Sequence, residues 1–95
     1  MALTVIWFKT ALHDLDAIAA FIFKDSTFYA KAVTEKILAV AQHIAKFLEV
    51  GRIVPEYNQT DIRERFVYSY RVIYQILTQI DILAVVHGRR LLGDN

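Results

Sequence analysis

The chain has 95 residues, of which 56% are hydrophobic and 13% aromatic, a composition that indicates one compact domain and excludes a disordered polypeptide. It contains no cysteine, which excludes disulfides, thiol catalysis and cysteine-based zinc sites. The formal net charge is only +1, but the charges are unevenly distributed along the chain.

The composition also bears on where the protein acts. Small secreted domains usually need disulfides, so a cysteine-free chain favours the cytosol. The longest apolar runs, residues 3–8 and 82–86, are far shorter than the about 18–20 residues of a membrane-spanning helix. The N-terminus lacks the basic region and long apolar segment of a signal peptide. We therefore expect one cytoplasmic domain over residues 1–95, with an apolar patch that marks a partner surface.

The first half of the chain predicts a strand followed by a helix. Residues 3–8 are mainly β-branched and aromatic, which is typical of a strand. Thr10 can cap the helix, and Asp14 and Asp16 then fall in or near its first turn, where carboxylates complement the helix dipole. The predicted apolar stripe of this helix consists of Leu12, Leu15, Ile18, Ala19 and Ile22.

A second helix is predicted after residues 25–27, which interrupt the apolar pattern and offer a new N-cap. This helix extends to about residue 48. Its apolar stripe consists of Val33, Ile37, Val40, Ala41, Ile44, Phe47 and Leu48. Because the break is short, the two helices should form an antiparallel hairpin.

The second half predicts a loop and three strands. Residues 49–61 contain Gly51 and Pro55 and read as a loop, and strand-like runs follow at residues 62–68, 70–77 and 80–87. Their tight connections predict an antiparallel meander, which Gly88 ends before a short tail at residues 89–95. The order β-α-α-β-β-β indicates an α+β fold, with the helical hairpin packed on one face of a small, mainly antiparallel sheet.

All five lysines precede residue 51 and all six arginines follow it. Arginine suits phosphate and carboxylate binding, because its planar guanidinium donates two parallel hydrogen bonds. Strand alternation predicts an open face that carries Arg63, Arg65, Arg71 and Gln75, with Ile62, Phe66, Tyr70, Val72, Tyr74 and Ile76 against the helices. Arg89 and Arg90 can reach the same face, which would then attract phosphate or an acidic peptide. The alternative is a set of solvated arginines that pair with Glu56, Asp61 and Glu64.

The three histidines give no metal site. His13 and His43 lack a second ligand at a suitable spacing, so both are expected at the surface, and no metal or cofactor is expected. His87 lies beside Arg89 and Arg90 and could act as an acid or a base near neutral pH. The alternative is that it forms a hydrogen bond at the end of its strand.

Five short motifs occur in a fixed order: Asp14-Leu15-x-x-Ile18, Gly51-Arg52-x-x-Pro55-Glu56, Arg63-Glu64, Tyr70-Arg71-Val72-Ile73-Tyr74 and His87-Gly88-Arg89-Arg90. With this order and spacing, the chain resembles the RelE/ParE toxin superfamily over nearly its whole length. The resemblance implies the toxin of a bacterial type II toxin–antitoxin module, which inhibits growth, contributes to plasmid stabilisation and is neutralised by a cognate antitoxin.

Members similar to RelE are ribosome-dependent mRNA endonucleases, which need cations around the phosphate and a general base. In that branch the resemblance implies catalytic roles for Arg71 and Arg90, and His87 or Glu56 is the available base. This chain departs from the branch, which has lysines on the strand where Ile62 and Glu64 occur here. It also lacks the tyrosine that RelE-like enzymes use near the C-terminus.

Members similar to ParE instead poison DNA gyrase and need no nuclease residues. The departures from the RelE pattern and the His-Gly-Arg-Arg ending favour this branch, so we predict gyrase rather than the ribosome and its mRNA as the target. The residues expected to bind the target or its phosphates are Arg63, Arg65, Arg71, Arg89 and Arg90. A third alternative is an inactive or regulatory relative.

Overall fold

The computed structural model describes residues 2–90 and residue 92. These residues form two helices and five strands: β1 (Val5–Trp7), α1 (Lys9–Phe23), α2 (Thr27–Lys46), β2 (Arg52–Ile53), β3 (Ile62–Val67), β4 (Tyr70–Ile76) and β5 (Ile80–His87). The predicted α+β order is confirmed, with one addition. The short strand β2 lies inside the segment that the sequence predicted as a loop. Of the predicted tail, Leu91 and residues 93–95 lie outside the described residues.

The five strands form one sheet in the order β1-β5-β4-β3-β2. The β2–β3, β3–β4 and β4–β5 pairs are antiparallel, as the meander prediction requires. Strand β1 pairs in parallel with β5, with Trp7 opposite Ile82, and so joins the start of the chain to its last strand. The sheet is therefore mainly antiparallel, as predicted.

The helical hairpin forms where the sequence predicted it, but one of its two predicted caps is wrong. Ser26 is the N-cap of α2, and its hydroxyl accepts a hydrogen bond from the Tyr29 amide at 3.1 Å. Helix α1 begins two residues earlier than a Thr10 cap requires, and Phe8 occupies its N-cap without a side-chain hydrogen bond. The first turn of α1 also contains no acidic residue.

The hydrophobic core lies between the hairpin and one face of the sheet. From the helices it takes Ala11, Ile18, Ile37, Val40, Ala41 and Ile44, and from the sheet Val67, Val72, Tyr74, Ile80, Ile82 and Val85. The predicted apolar stripes are wrong at two positions, because Leu12 and Phe47 are exposed. Both lie at helix ends, where the apolar stripe turns away from the sheet. Trp7 is half-buried and packs against the core.

The face of β3 that lies on the helix side is the opposite of the one predicted. Val67 is opposite Tyr70, Arg65 is opposite Val72 and Arg63 is opposite Tyr74, so all three β3 residues lie on the helix side. Phe66 is opposite Arg71 and Ile62 is opposite Gln75, and these lie on the open face of the sheet. The reason is the connection at Tyr68 and Ser69: a turn of two residues fixes the register of a hairpin, and Tyr68 adopts a left-handed φ of 53° there.

Side chains of α1 complete the outer edge of β5. Strand β1 covers this edge only as far as Ile82. Beyond it, the Thr10 hydroxyl donates to the Leu83 carbonyl at 2.8 Å, and an Asp14 carboxylate oxygen accepts from the Val85 amide at 2.9 Å. These bonds satisfy backbone groups that a neighbouring strand would otherwise pair.

No helix among residues 2–90 and 92 is long and apolar enough to cross a membrane.

Candidate functional site

Arg71 is the buried centre of an ionic network on the open face of the sheet. Its Nη1 and Nη2 donate to the two carboxylate oxygens of Glu56, each at 2.9 Å. Its Nε donates to Glu64 Oε1 at 2.6 Å, and Nη2 lies 2.5 Å from the same oxygen. Nη1 also donates to the backbone carbonyl of Arg90 at 2.9 Å. All three guanidinium nitrogens are therefore engaged by oxygens of the protein.

Glu64 joins Arg71 to a second arginine. Its side chain is fully buried, and its Oε2 accepts a hydrogen bond from Arg52 Nε on the neighbouring strand β2. Arg52 is 61% exposed, and its guanidinium carbon lies 5.5 Å from the centre of the Phe66 ring. The network thus holds two arginines and two carboxylates, and their formal charges cancel.

The network also fastens the segment that follows β5. Besides the bond from Arg71 to the Arg90 carbonyl, the Leu92 amide donates to Glu56 Oε2 at 3.0 Å. Glu56 therefore bridges the loop after β2 and the residues after His87. Gly88 permits this path, because a Cβ there would lie 3.1 Å from both Phe66 Cε2 and the Ser69 carbonyl oxygen.

The protonation of the network follows from these contacts. Hydrogen bonds from Arg71, and then from the Leu92 amide, lower the pKa of Glu56 from 4.5 to about 2. Hydrogen bonds to Glu56 in turn raise the pKa of Arg71 above its already high usual value. The carboxylate and the guanidinium are therefore both charged near neutral pH.

Two of the predicted phosphate-binding arginines do not join Arg71. Arg63 lies on the helix side, where it donates to the Thr60 carbonyl at 2.8 Å and the Gly51 carbonyl at 3.1 Å. Arg65, on the same side, contacts His43 Nδ1 at the end of α2. The predicted common open face for Arg63, Arg65 and Arg71 is wrong, because the β3–β4 register places the first two on the other side of the sheet.

The residues after β5 divide between two surfaces. Arg89 lines a pocket with Phe66 and Tyr68. Arg90 lines a separate groove with Asp14 and Phe21 of α1. The prediction of one surface with all five arginines is therefore wrong for Arg90 as well, although its backbone carbonyl reaches Arg71.

His87 lies at the end of β5 and is exposed. Its Nδ1 accepts a hydrogen bond from the Arg89 amide at 3.2 Å, as one of the two sequence interpretations proposed. Because Nδ1 is an acceptor in this bond, a neutral His87 carries its proton on Nε2. Its ring and the Tyr70 ring are nearly perpendicular, with the ring centres 5.8 Å apart.

The sequence interpretation missed the role of Arg52. The alternative interpretation, of solvated arginines paired with Glu56, Asp61 and Glu64, is confirmed for the pairing of Arg71 with Glu56 and Glu64. It is wrong about solvation, because Arg71 is buried, and Asp61 accepts from Gln75 instead. The available signal was the length of the β3–β4 turn. In a hairpin with a two-residue turn, Val67 pairs with Tyr70. Counting along both strands from this pair places Phe66 opposite Arg71, and Glu64 then lies on the same face as both.

Comparison with solved structures identifies the class of fold. The chain is similar to a structure described as the chromosomal ParDE toxin–antitoxin system of P. aeruginosa, with a TM-score of 0.73, 17% identity, and coverage of 90% of this chain and 96% of that one. It is also similar to a structure of the toxin–antitoxin complex RelBE2 from Mycobacterium tuberculosis, with a TM-score of 0.62, 22% identity and 92% of each chain covered. The fold is therefore that of the RelE/ParE toxins.

The family model for the ParE toxin of the type II toxin–antitoxin system parDE matches residues 5–92. The chain belongs to this family. No curated protein sequence matches it.

Proposed function

We propose that the protein is a toxin that poisons DNA gyrase and does not cleave RNA. The observation that carries this proposal is the engagement of Arg71, whose side chain is only 4% exposed. A cation that stabilises the transition state of phosphodiester cleavage must direct its donors at the phosphate. Here those donors are directed at Glu56, Glu64 and the Arg90 carbonyl. Membership of the ParE family supports the same branch.

The candidate bases fit an RNA-cleaving enzyme equally poorly. A general base works best with a pKa near the operating pH, whereas the pKa of Glu56 is about 2. Both Glu56 oxygens also accept hydrogen bonds from Arg71. One nitrogen of His87 is engaged by the Arg89 amide. Gyrase poisoning through a surface contact needs none of these groups to take up a proton.

The direct test incubates the purified chain with DNA gyrase and supercoiled plasmid. We expect gyrase–DNA cleavage complexes to accumulate and to yield linear DNA after protein digestion. The matched control adds the chain to translating ribosomes, where we expect no cuts within codons. Undiminished gyrase activity at saturating toxin would contradict the proposal, and codon-specific cuts that Arg71→Ala or Arg90→Ala abolish would establish the nuclease instead. Absence of growth arrest on expression would indicate an inactive relative.

We further propose that a cognate antitoxin neutralises the protein in the cytoplasm. Both similar structures are described as a toxin–antitoxin system or complex. Around the hairpin this chain exposes large apolar side chains that a partner could cover, among them Leu12, Phe21, Phe23, Phe28 and Leu38. Co-expression with a short neighbouring gene should restore growth and yield a stable complex. Continued growth arrest, with no complex recovered, would refute that pairing.

A further inference from the structure

We infer that the end of β5 and the β3–β4 turn form a binding site for an unpaired nucleotide of a nucleic-acid strand. The inference rests on the proposed function, because a gyrase poison acts where DNA strands are cut. The site is a pocket of about 480 Å³ lined by Phe66, Tyr68, Ser69, His87, Gly88 and Arg89, which we call the stacking pocket. Its volume lies within the range of about 300–1,000 Å³ that is typical of ligand sites.

The aromatic side chains of the stacking pocket are open to solvent. Phe66 is 50% exposed and Tyr68 is 66% exposed, and the exposed imidazole of His87 lies at the same end of the sheet. Phe66 projects from the open face, away from the core that the helices cover. Exposed rings on a sheet are suited to stacking on nucleobases, because every base has a flat π-face.

The charge that solvent meets around these rings is positive. The carboxylate of Glu64 is fully buried and that of Glu56 is 19% exposed, and both are already paired with Arg71. The side chain of Arg52 is 61% exposed beside the Phe66 ring, with its Nε bonded to the buried Glu64, and Arg89 is exposed at the rim. Within residues 2–90 and 92, Arg89 has no carboxylate partner. Exposed cations beside open rings complement a phosphate and its base.

His87 adds a donor for the same ligand. Because its Nδ1 accepts from the Arg89 amide, the neutral ring presents an Nε2–H that can donate to a phosphate oxygen or to an acceptor on a base. The alternative occupant is an acidic peptide, which the cations would also attract. We favour the nucleotide because the pocket combines the cations with two aromatic side chains, Phe66 and Tyr68, that are at least half exposed.

Fluorescence anisotropy with the full-length chain at low salt tests this inference. The probes are a labelled oligothymidine and an oligouridine of about 12 nucleotides, a duplex of the same length and a poly-glutamate peptide. We expect the single strands to bind more tightly than the duplex or the peptide. Comparing the two single strands then shows whether the pocket binds the DNA probe or the RNA probe more tightly.

Matched variants assign the binding to the stacking pocket. Tyr68→Asn removes a ring while keeping a residue that tolerates positive φ, and Phe66→Leu replaces a ring with an apolar side chain. Each should weaken oligothymidine binding by about fivefold or more. Arg89→Gln should also weaken it and reduce the salt dependence by about 0.7 in log–log slope. Phe28→Leu and Lys31→Gln, both exposed on α2, should bind like the wild type.

Several outcomes would overturn the inference. These are no single-strand binding by the wild type, equal binding by the pocket variants, or tighter binding of the poly-glutamate peptide. Gyrase is absent from this measurement, so its failure and that of the proposed function are distinguishable. If the chain poisons gyrase but binds no single strand, only the inference about the stacking pocket is refuted. A chain that binds a strand and leaves gyrase intact would refute only gyrase poisoning.

Discussion

Glu56 is held in its ionised form by Arg71, and this has a consequence for stability. Its pKa falls from 4.5 to about 2 on folding, so the ionised group stabilises the fold above pH 4.5. That stabilisation is lost as the pH falls from 4.5 through about 2. Because the group is partly exposed, we expect about 1–2 kcal/mol rather than the full value of the shift.

The variant Glu56→Gln tests this coupling. Denaturant unfolding at several pH values should show a constant loss of stability near neutral pH and a shrinking difference from wild type between pH 4.5 and about 2. Glu35→Gln is the control, since Glu35 is 64% exposed and lies 3.9 Å from Lys31. A difference from wild type that does not change with pH would show that Glu56 acts only through packing.

Gly51 is required because the chain passes close to β3 and β4 at this position. A Cβ at this position would lie 2.5 Å from both the Glu64 carbonyl oxygen and the Tyr74 hydroxyl. That hydroxyl accepts from the Gly51 amide and donates to the Leu48 carbonyl, so it cannot move without losing hydrogen bonds. Gly51→Ala should therefore lower the free energy of unfolding by about 2–3 kcal/mol.

Urea unfolding measures this cost, and Gly88→Ala provides the comparison. The nearest atoms to a Cβ at Gly88 are 3.1 Å away, so small shifts could accommodate it, and we expect less than half the loss. Equal losses for the two variants would contradict a specific steric requirement at Gly51. From the sequence, Gly51 was only a marker of a loop, because its tight contacts come from β3 and β4, which are distant in the chain.

At the level of secondary structure, the sequence predicted the positions of the helices and strands much better than the side of the sheet on which their side chains lie. The predicted runs at residues 62–68, 70–77 and 80–87 match β3, β4 and β5 to within one residue, because alternating β-branched and aromatic residues define them. Strand β2 was missed because it has only two residues, in a segment that also contains Pro55.

The facing of β3 could not be read from hydrophobicity alone. Both of its faces carry apolar and charged residues, with Val67 among the arginines on one and Glu64 beside Phe66 on the other. Only the hairpin register distinguishes the two faces of β3. Because successive side chains of a strand alternate between the faces, one wrong assignment placed both Arg63 and Arg65 on the wrong side of the sheet. Arg71 was correctly placed on the open face, but Glu64 was assigned to the opposite side of the sheet from it.

The part of β5 that does not pair with β1 is protected by a side chain of α1. The Asp14 carboxylate accepts from the Val85 amide, beyond the point where β1 stops pairing. Removing it in Asp14→Ala should cost about 1–2 kcal/mol and accelerate hydrogen exchange of the Val85 amide by about tenfold. Asp16→Ala, an exposed position on the same helix, should leave that exchange unchanged. Equal acceleration in both variants would show that helix charge, not the hydrogen bond, protects the edge.

At the level of the whole molecule, the hairpin and the sheet share one core. Ile37 and Ile44 of α2 are fully buried against sheet residues such as Val72 and Tyr74. The parallel pairing of β1 with β5 closes the domain by joining residues 5–7 to residues 80–82. Neither half of the chain therefore has a separate core that could survive loss of the other.

The predicted single domain should consequently unfold in one cooperative transition. Trp7 is the only tryptophan, and it lies in β1 against the core, so its fluorescence reports the joining of the two chain ends. Far-UV circular dichroism reports mainly the two helices. We expect the two signals to give the same midpoint and slope in urea, because breaking the β1–β5 pair exposes the surface on which α1 and α2 pack. Trp7→Phe, which removes the fluorescence signal, should leave the circular dichroism transition single. Fluorescence loss at lower urea than loss of helix would contradict this coupling, because the hairpin would then remain folded without the sheet.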